Sequence, residues 1–84
     1  MTKYYEWLSE EFKKINPDTY LNPNDNYIQK GVIDSLGLIE LIEDIESHFG
    51  IRFEEKHLTD KKFVSIKGLS EIINDIINRG NHEL

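Results

Sequence analysis

Ser35-Leu36-Gly37-Leu38-Ile39-Glu40-Leu41-Ile42-Glu43-Asp44-Ile45-Glu46-Ser47-His48-Phe49 is the stretch that decides the fold. Wound at ~100° per residue, it brings Leu38, Leu41, Ile42, Ile45 and Phe49 within about 60° of one direction. That direction is the core side of an amphipathic helix. Both ends are marked. Ser35 suits the N-cap, where a hydroxyl accepts an orphan backbone N–H of the first turn. Gly50 suits the left-handed position after the last turn, with Ile51 folding back onto it. On the opposite side of the wheel, about 160° from the core direction, stands Leu36. It shares that outer face with Glu40, Glu43 and Ser47, and Ile39 lies on the boundary.

Outward from this helix the chain stays helical. Tyr5, Leu8, Phe12 and Ile15 recur at helical spacing and predict a first helix over Thr2–Ile15. Asn16-Pro17 ends it, because a residue before proline is pushed out of the helical region. Asn16–Ile33 is rich in Asn, Asp and Pro and reads as a long loop, with Tyr20, Leu21, Tyr27 and Ile28 expected to pin it to the helices. A short helix or turn is expected between Glu54 and Thr59, followed by a core anchor at Phe63-Val64. Ser65 is the expected N-cap of a last helix whose wide apolar face carries Ile66, Leu69, Ile72, Ile73, Ile76 and Ile77, with Gly80 as its stop. The expectation is an all-α protein: a small antiparallel bundle of three main helices plus a short fourth, with a long first loop, in one domain over residues 1–84.

Composition narrows the function. A chain of 84 residues has one modest core and little room for a deep, rigid active site. The formal net charge of -6 disfavours nucleic acid and anionic lipid as partners and favours proteins with basic patches. Cysteine is absent, which excludes disulfides, thiolate catalysis and cysteine-based zinc sites. No apolar run approaches the ~20 residues of a membrane span. Met1–Trp7 has neither a secretory apolar stretch nor an Arg-rich transit pattern, and Asn81-His82-Glu83-Leu84 matches an ER-retention tail poorly. A cytoplasmic monomer is the expectation.

The acids are concentrated. Asp34, Glu40, Glu43, Asp44, Glu46, Glu54 and Glu55 fall between Asp34 and Glu55, where Arg52 is the single Lys or Arg. An exposed leucine is ordinary on its own, but Leu36 ringed by acids reads as a docking spot for a basic groove. Ser35 lacks a sequence-adjacent histidine or lysine to activate it, and His48 is about 20 Å away along the helix, so a Ser-His hydrolase is poorly supported. Asn22, Asn24 and Asn26 mimic half a calcium loop, but Tyr27 and Ile33 stand where Gly and Glu are required. His48, His57 and His82 show no ligand spacing. What physics does favour at Ser35 is a phosphodiester, since a helix N-terminus offers free N–H groups and partial positive charge.

The run Gly31-Val32-Ile33-Asp34-Ser35-Leu36-Gly37-Leu38-Ile39-Glu40-Leu41-Ile42 resembles the phosphopantetheine attachment motif of acyl and peptidyl carrier proteins, with Asp34-Ser35-Leu36 at its heart. Ile45–Ile51 resembles the same family's second helix and its ending, and Phe63-Val64-Ser65-Ile66 resembles the entry to its last helix. The resemblance implies that Ser35 receives 4′-phosphopantetheine from coenzyme A through a separate phosphopantetheinyl transferase. The arm's thiol would then carry an acyl or aminoacyl group as a thioester, importing the sulfur that the chain lacks. It further implies that Asp34 and Leu36 present Ser35 to the transferase. Glu40, Glu43 and Asp44 would meet basic patches on loading ligases and downstream synthases or transferases, and Ile39 and Leu41 would border a space that shelters the acyl chain. One extra residue between Gly31 and Asp34, and Gly37 in place of a polar residue, make the chain more similar to free-standing carriers of specialised pathways than to those of housekeeping fatty acid synthesis. The rival reading is an unmodified helical interaction module in which Ser35 is only a helix N-cap.

Overall fold

A computed structural model describes residues 2–18 and 20–82. The helices are α1 (Thr2–Ile15), α2 (Ser35–Phe49), α3 (Glu55–Leu58) and α4 (Ile66–His82), with a 3₁₀ turn at Lys61–Val64 ahead of the last. No strand occurs among the described residues, so the expected all-α architecture is the one observed. No helix among them is long and apolar enough to cross a membrane.

Aromatic contacts set the packing of α1 and α2. Trp7 stacks on His48 at 4.5 Å between ring centroids, and Tyr4 meets Phe49 edge-on at 5.5 Å. The start of α1 therefore lies against the end of α2, and the two helices run antiparallel. At the other end, the Asn16 side-chain amide donates to the Val32 carbonyl at 3.4 Å, closing the exit of α1 onto the entry to α2. The buried face of α1 is carried by Tyr4, Leu8 and Phe12 at steps of four. Tyr5 is only half-buried and Ile15 is exposed. The expected stripe is therefore displaced toward Tyr4, because Tyr4 is the tyrosine that reaches Phe49, while Ile15 sits at the helix end where the chain turns away.

The long loop is held by one residue above all. Tyr27 is fully buried beside Phe12, at 4.7 Å between rings. Its backbone N–H donates to the Val64 carbonyl at 3.0 Å, its hydroxyl donates to the Phe63 carbonyl, and its own carbonyl accepts from Val32 N–H at 3.0 Å. Lys67 N–H adds a bond to the Pro23 carbonyl at 3.0 Å. Val32 and Ile33 are buried with Tyr27, whereas Tyr20, 77% exposed, and Ile28 do not pin the loop as expected. Tyr27 differs from them in that its side chain reaches a backbone acceptor on the distant 3₁₀ turn. Tyr27→Phe leaves the Phe63 carbonyl short of a donor in a buried place, at an expected cost of about 1–3 kcal/mol in urea unfolding. Burial also pushes the Tyr27 phenol well above its ordinary value. The folded state then keeps a proton that the unfolded chain releases above pH about 10, so stability falls as pH rises past that point. The alkaline loss is expected to be weaker in Tyr27→Phe.

The remaining ends follow from local chemistry. Gly50 adopts φ +66° and its N–H bonds the Glu46 carbonyl, with Ile51 N–H on the same oxygen at 3.2 Å. Ser65 caps α4, its hydroxyl accepting Gly68 N–H at 3.1 Å. Gly80 does not stop α4, which continues to His82. A glycine inside a helix costs only about 1 kcal/mol relative to alanine, too little to end one by itself. Glu83 and Leu84, half of the retention-like tail, lie outside the described residues. Gly68 is buried where α4 crosses the 3₁₀ turn, and a methyl group there would lie 2.0 Å from the Lys62 carbonyl oxygen.

Candidate functional site

The entry to α2 is organised by Asp34. This residue is extended (φ −98°, ψ −178°), and its Oδ1 accepts Gly37 N–H at 2.8 Å. The N-cap is thus Asp34 and not Ser35 as the sequence suggested. Both residue types cap well, but the carboxylate also gains from the positive end of the helix dipole. Gly37 fits this arrangement. A methyl group there would come 3.0 Å from the Ile33 side chain and 3.2 Å from Asp34 Oδ1. Its lack of a side chain lets Ile33 pack and Asp34 cap in the same small space. Asp34→Ala is expected to destabilise the protein by about 1 kcal/mol, seen as a lower urea midpoint with an unchanged slope.

Because Asp34 caps, Ser35 is free. It is the first residue of the helix and is exposed, and its hydroxyl makes no hydrogen bond among the described residues. Two of the histidines are occupied elsewhere. His57 accepts Glu54 N–H on Nδ1 at 2.8 Å, and His48 is stacked on Trp7 at the opposite end of α2. Among the described residues no side chain bonds the Ser35 hydroxyl as a general base would. No group of acidic or histidine side chains suited to a metal ion occurs among the described residues.

The outer face of α2 is close to the wheel. Leu36 is 67% exposed and Ile39 54%, which places Ile39 outside rather than at the boundary. Glu40 and Glu43 are exposed beside them. Asp44 is exposed too, but it looks toward α1. The Lys14 ammonium is held protonated first by the hydrogen bond and charge of Glu11, 3.0 Å away, and more weakly by Asp44. Glu46 has a structural task, accepting Phe53 N–H at 2.9 Å. Leu41 belongs to the core. Since Ile39 and Leu41 are about 160° apart on the helix, they do not border one shared space as expected.

A family model described as the phosphopantetheine attachment site matches residues 6–76, from α1 through the loop and α2 into α4. The chain belongs to that family. Searches of curated proteins and of solved structures returned no match. Domains of this family carry 4′-phosphopantetheine covalently, are generally non-catalytic, and generally interact with transferases and synthases. An exposed hydroxyl at a helix N-terminus fits such a group, because the free N–H groups and dipole of α2 favour the phosphodiester that would join the arm to the chain.

Proposed function

We propose that this chain is an acyl or aminoacyl carrier protein that bears its 4′-phosphopantetheine on Ser35 and is not itself an enzyme. The observation that carries this reading is the division of labour at α2. Asp34 does the capping, so Ser35 is left exposed with an uncommitted hydroxyl at an anion-favouring helix end. The rival reading, an unmodified module with Ser35 as cap, loses its account of Ser35.

The arm supplies a thiol that holds cargo as a thioester. The protein supplies the anchor and the address. Leu36 and Ile39 offer an apolar contact ringed by Glu40 and Glu43, and Asp34 flanks the anchor. Asp44 contributes charge from the α1 side of the helix. Such a face suits a phosphopantetheinyl transferase, a loading ligase and downstream synthases or transferases with basic grooves. Docking through exposed charges is weak, fast and salt-sensitive, which suits a carrier that must leave each partner after delivery. The tether raises the concentration of cargo at each active site in turn.

The test is incubation of the apo protein with coenzyme A, magnesium and a broad-specificity phosphopantetheinyl transferase, read by intact mass. The expected product carries one phosphopantetheine, located on the peptide containing Ser35. No addition by a transferase active on another carrier in the same assay would overturn the reading.

A further inference from the structure

Arg52 breaks the charge pattern around α2. It is the single Lys or Arg between Asp34 and Glu55, where seven acids stand. The whole net charge of -6 arises in this stretch, because the charges of the remaining chain cancel. Arg52 is exposed and lines an open cleft with Glu43, Glu46, Ser47 and Ile51. The cleft therefore adjoins the outer face of α2, to which Glu43 and Ser47 belong. Two carboxylates line the same cleft, yet the guanidinium has no ion pair or hydrogen bond among the described residues. The Glu46 carboxylate is already engaged, accepting Phe53 N–H at 2.9 Å. Arg52 thus keeps its planar fork of donors for a group from outside.

Glu43 stands about 12 Å along α2 from Ser35. A protein interface of ordinary size covers ~800 Å² of each partner, roughly 30 Å across, so one centred on Ser35 extends to this cleft. A groove lined by Lys and Arg alone would attract Glu40 and Glu43 but repel Arg52. A groove with one carboxylate opposite Arg52 would attract all three, and a forked guanidinium–carboxylate bond would fix its register. We propose that Arg52 is a specificity-determining residue of the docking face. It disfavours enzymes whose grooves are uniformly basic and favours those that place an Asp or Glu side chain opposite it. The proposal rests on the carrier reading above and adds to it the one position where the acidic face is inverted.

The test uses the apo chain, coenzyme A and a phosphopantetheinyl transferase whose carrier groove is charged by Lys and Arg alone, with KM and kcat measured at low salt. One exposed charge pair shifts affinity by up to about five-fold, and a charge reversal both removes a repulsion and adds an attraction. Arg52→Glu is therefore expected to lower the KM for the carrier by about three- to ten-fold with kcat unchanged. Arg52→Ala should gain less, and Arg52→Lys should match the wild-type chain. The gain should shrink as salt is raised. Lys13→Glu makes the same change in net charge on α1 and is expected to leave KM nearly unchanged. Changing the groove residues singly to Glu is expected to yield one transferase variant that prefers the wild-type chain to Arg52→Glu. An unchanged or higher KM for Arg52→Glu overturns the proposal, as does an equal gain in Lys13→Glu, which would reduce the effect to net charge. Absence of loading in the wild-type chain and in Arg52→Glu alike is a different result, and it removes the carrier reading instead.

Discussion

Ser35→Ala is expected to accept no phosphopantetheine under conditions that convert the wild-type chain completely, while folding as stably as before. The two halves of this result come from different atoms. On the proposed reading the hydroxyl oxygen is the acceptor of the arm, and alanine has nothing to replace it, so the expected loss is total rather than graded. Stability is untouched because the cap belongs to Asp34, whose Oδ1 holds Gly37 N–H at 2.8 Å. Alanine is also the better helix former at a first-turn position, so the variant should lie within about 0.5 kcal/mol of wild type or slightly above it. Intact mass and urea unfolding on the same preparation check both halves. Addition to Ser35→Ala would move the attachment point elsewhere. A loss of about 1 kcal/mol would return the cap to Ser35.

Gly68→Ala is expected to be the most damaging single-methyl change in the protein. The added carbon would meet the Lys62 carbonyl oxygen at 2.0 Å and its carbonyl carbon at 2.7 Å. Those are backbone atoms, and they cannot swing aside as the tip of a long side chain can. Overpacking typically costs 1–3 kcal/mol, and a clash with main chain belongs at or above the top of that range, at about 3 kcal/mol. Small domains have only about 0.05–0.15 kcal/mol of stability per residue, so this is a large share of the whole. At about 4–8 °C per kcal/mol, the melting temperature should fall by some ~12–24 °C. The damage should spread, because the 3₁₀ turn that must move also provides the Phe63 and Val64 carbonyls on which Tyr27 holds the loop. Thermal unfolding by circular dichroism reads the effect. A variant more stable by about 1 kcal/mol, as expected for an ordinary glycine inside a helix, would show that the turn yields freely.

Much of the fold was legible because apolar periodicity is a local signal. The core-facing set on α2 and the wide stripe on α4 are spaced for one helix face, and Gly50 and Ser65 mark ends by conformations that few residues share. What was not legible depends on partners far away in the chain. Tyr20 and Tyr27 sit in the same Asn- and Pro-rich surroundings, yet only Tyr27 reaches acceptors 36 residues on. Gly68 looks like a weak point in a helix until α4 is laid across the 3₁₀ turn. The first-helix stripe was misplaced because Tyr4 and Tyr5 are equivalent in composition and differ only in which one faces Phe49.

The site divides in the same way. The exposure of Leu36, Glu40 and Glu43 followed from the wheel, because geometry within one helix is self-contained. The cap falls on Asp34 rather than on its neighbour Ser35, and residue type alone does not separate them because each caps well. A signal was nevertheless present. Counting from Asp34, the third residue on is Gly37, whose bare backbone leaves the carboxylate room to reach its N–H. Asp44 joins the docking acids only through the family resemblance, and in the structure it acts on Lys14 from the α1 side of the helix.

The Asp34 cap has a consequence for traffic. A carrier passes through bare, armed and charged forms, and each would unsettle the start of α2 if the modified residue also held that helix together. With the arm on Ser35 as proposed, the two duties would reside on adjacent side chains, so every form could keep the same scaffold at nearly the same free energy. An enzyme choosing among these forms then gains little from sensing the helices themselves. It must recognise the arm and what hangs from it, and the protein surface can stay constant while the chemistry at its tip changes hands.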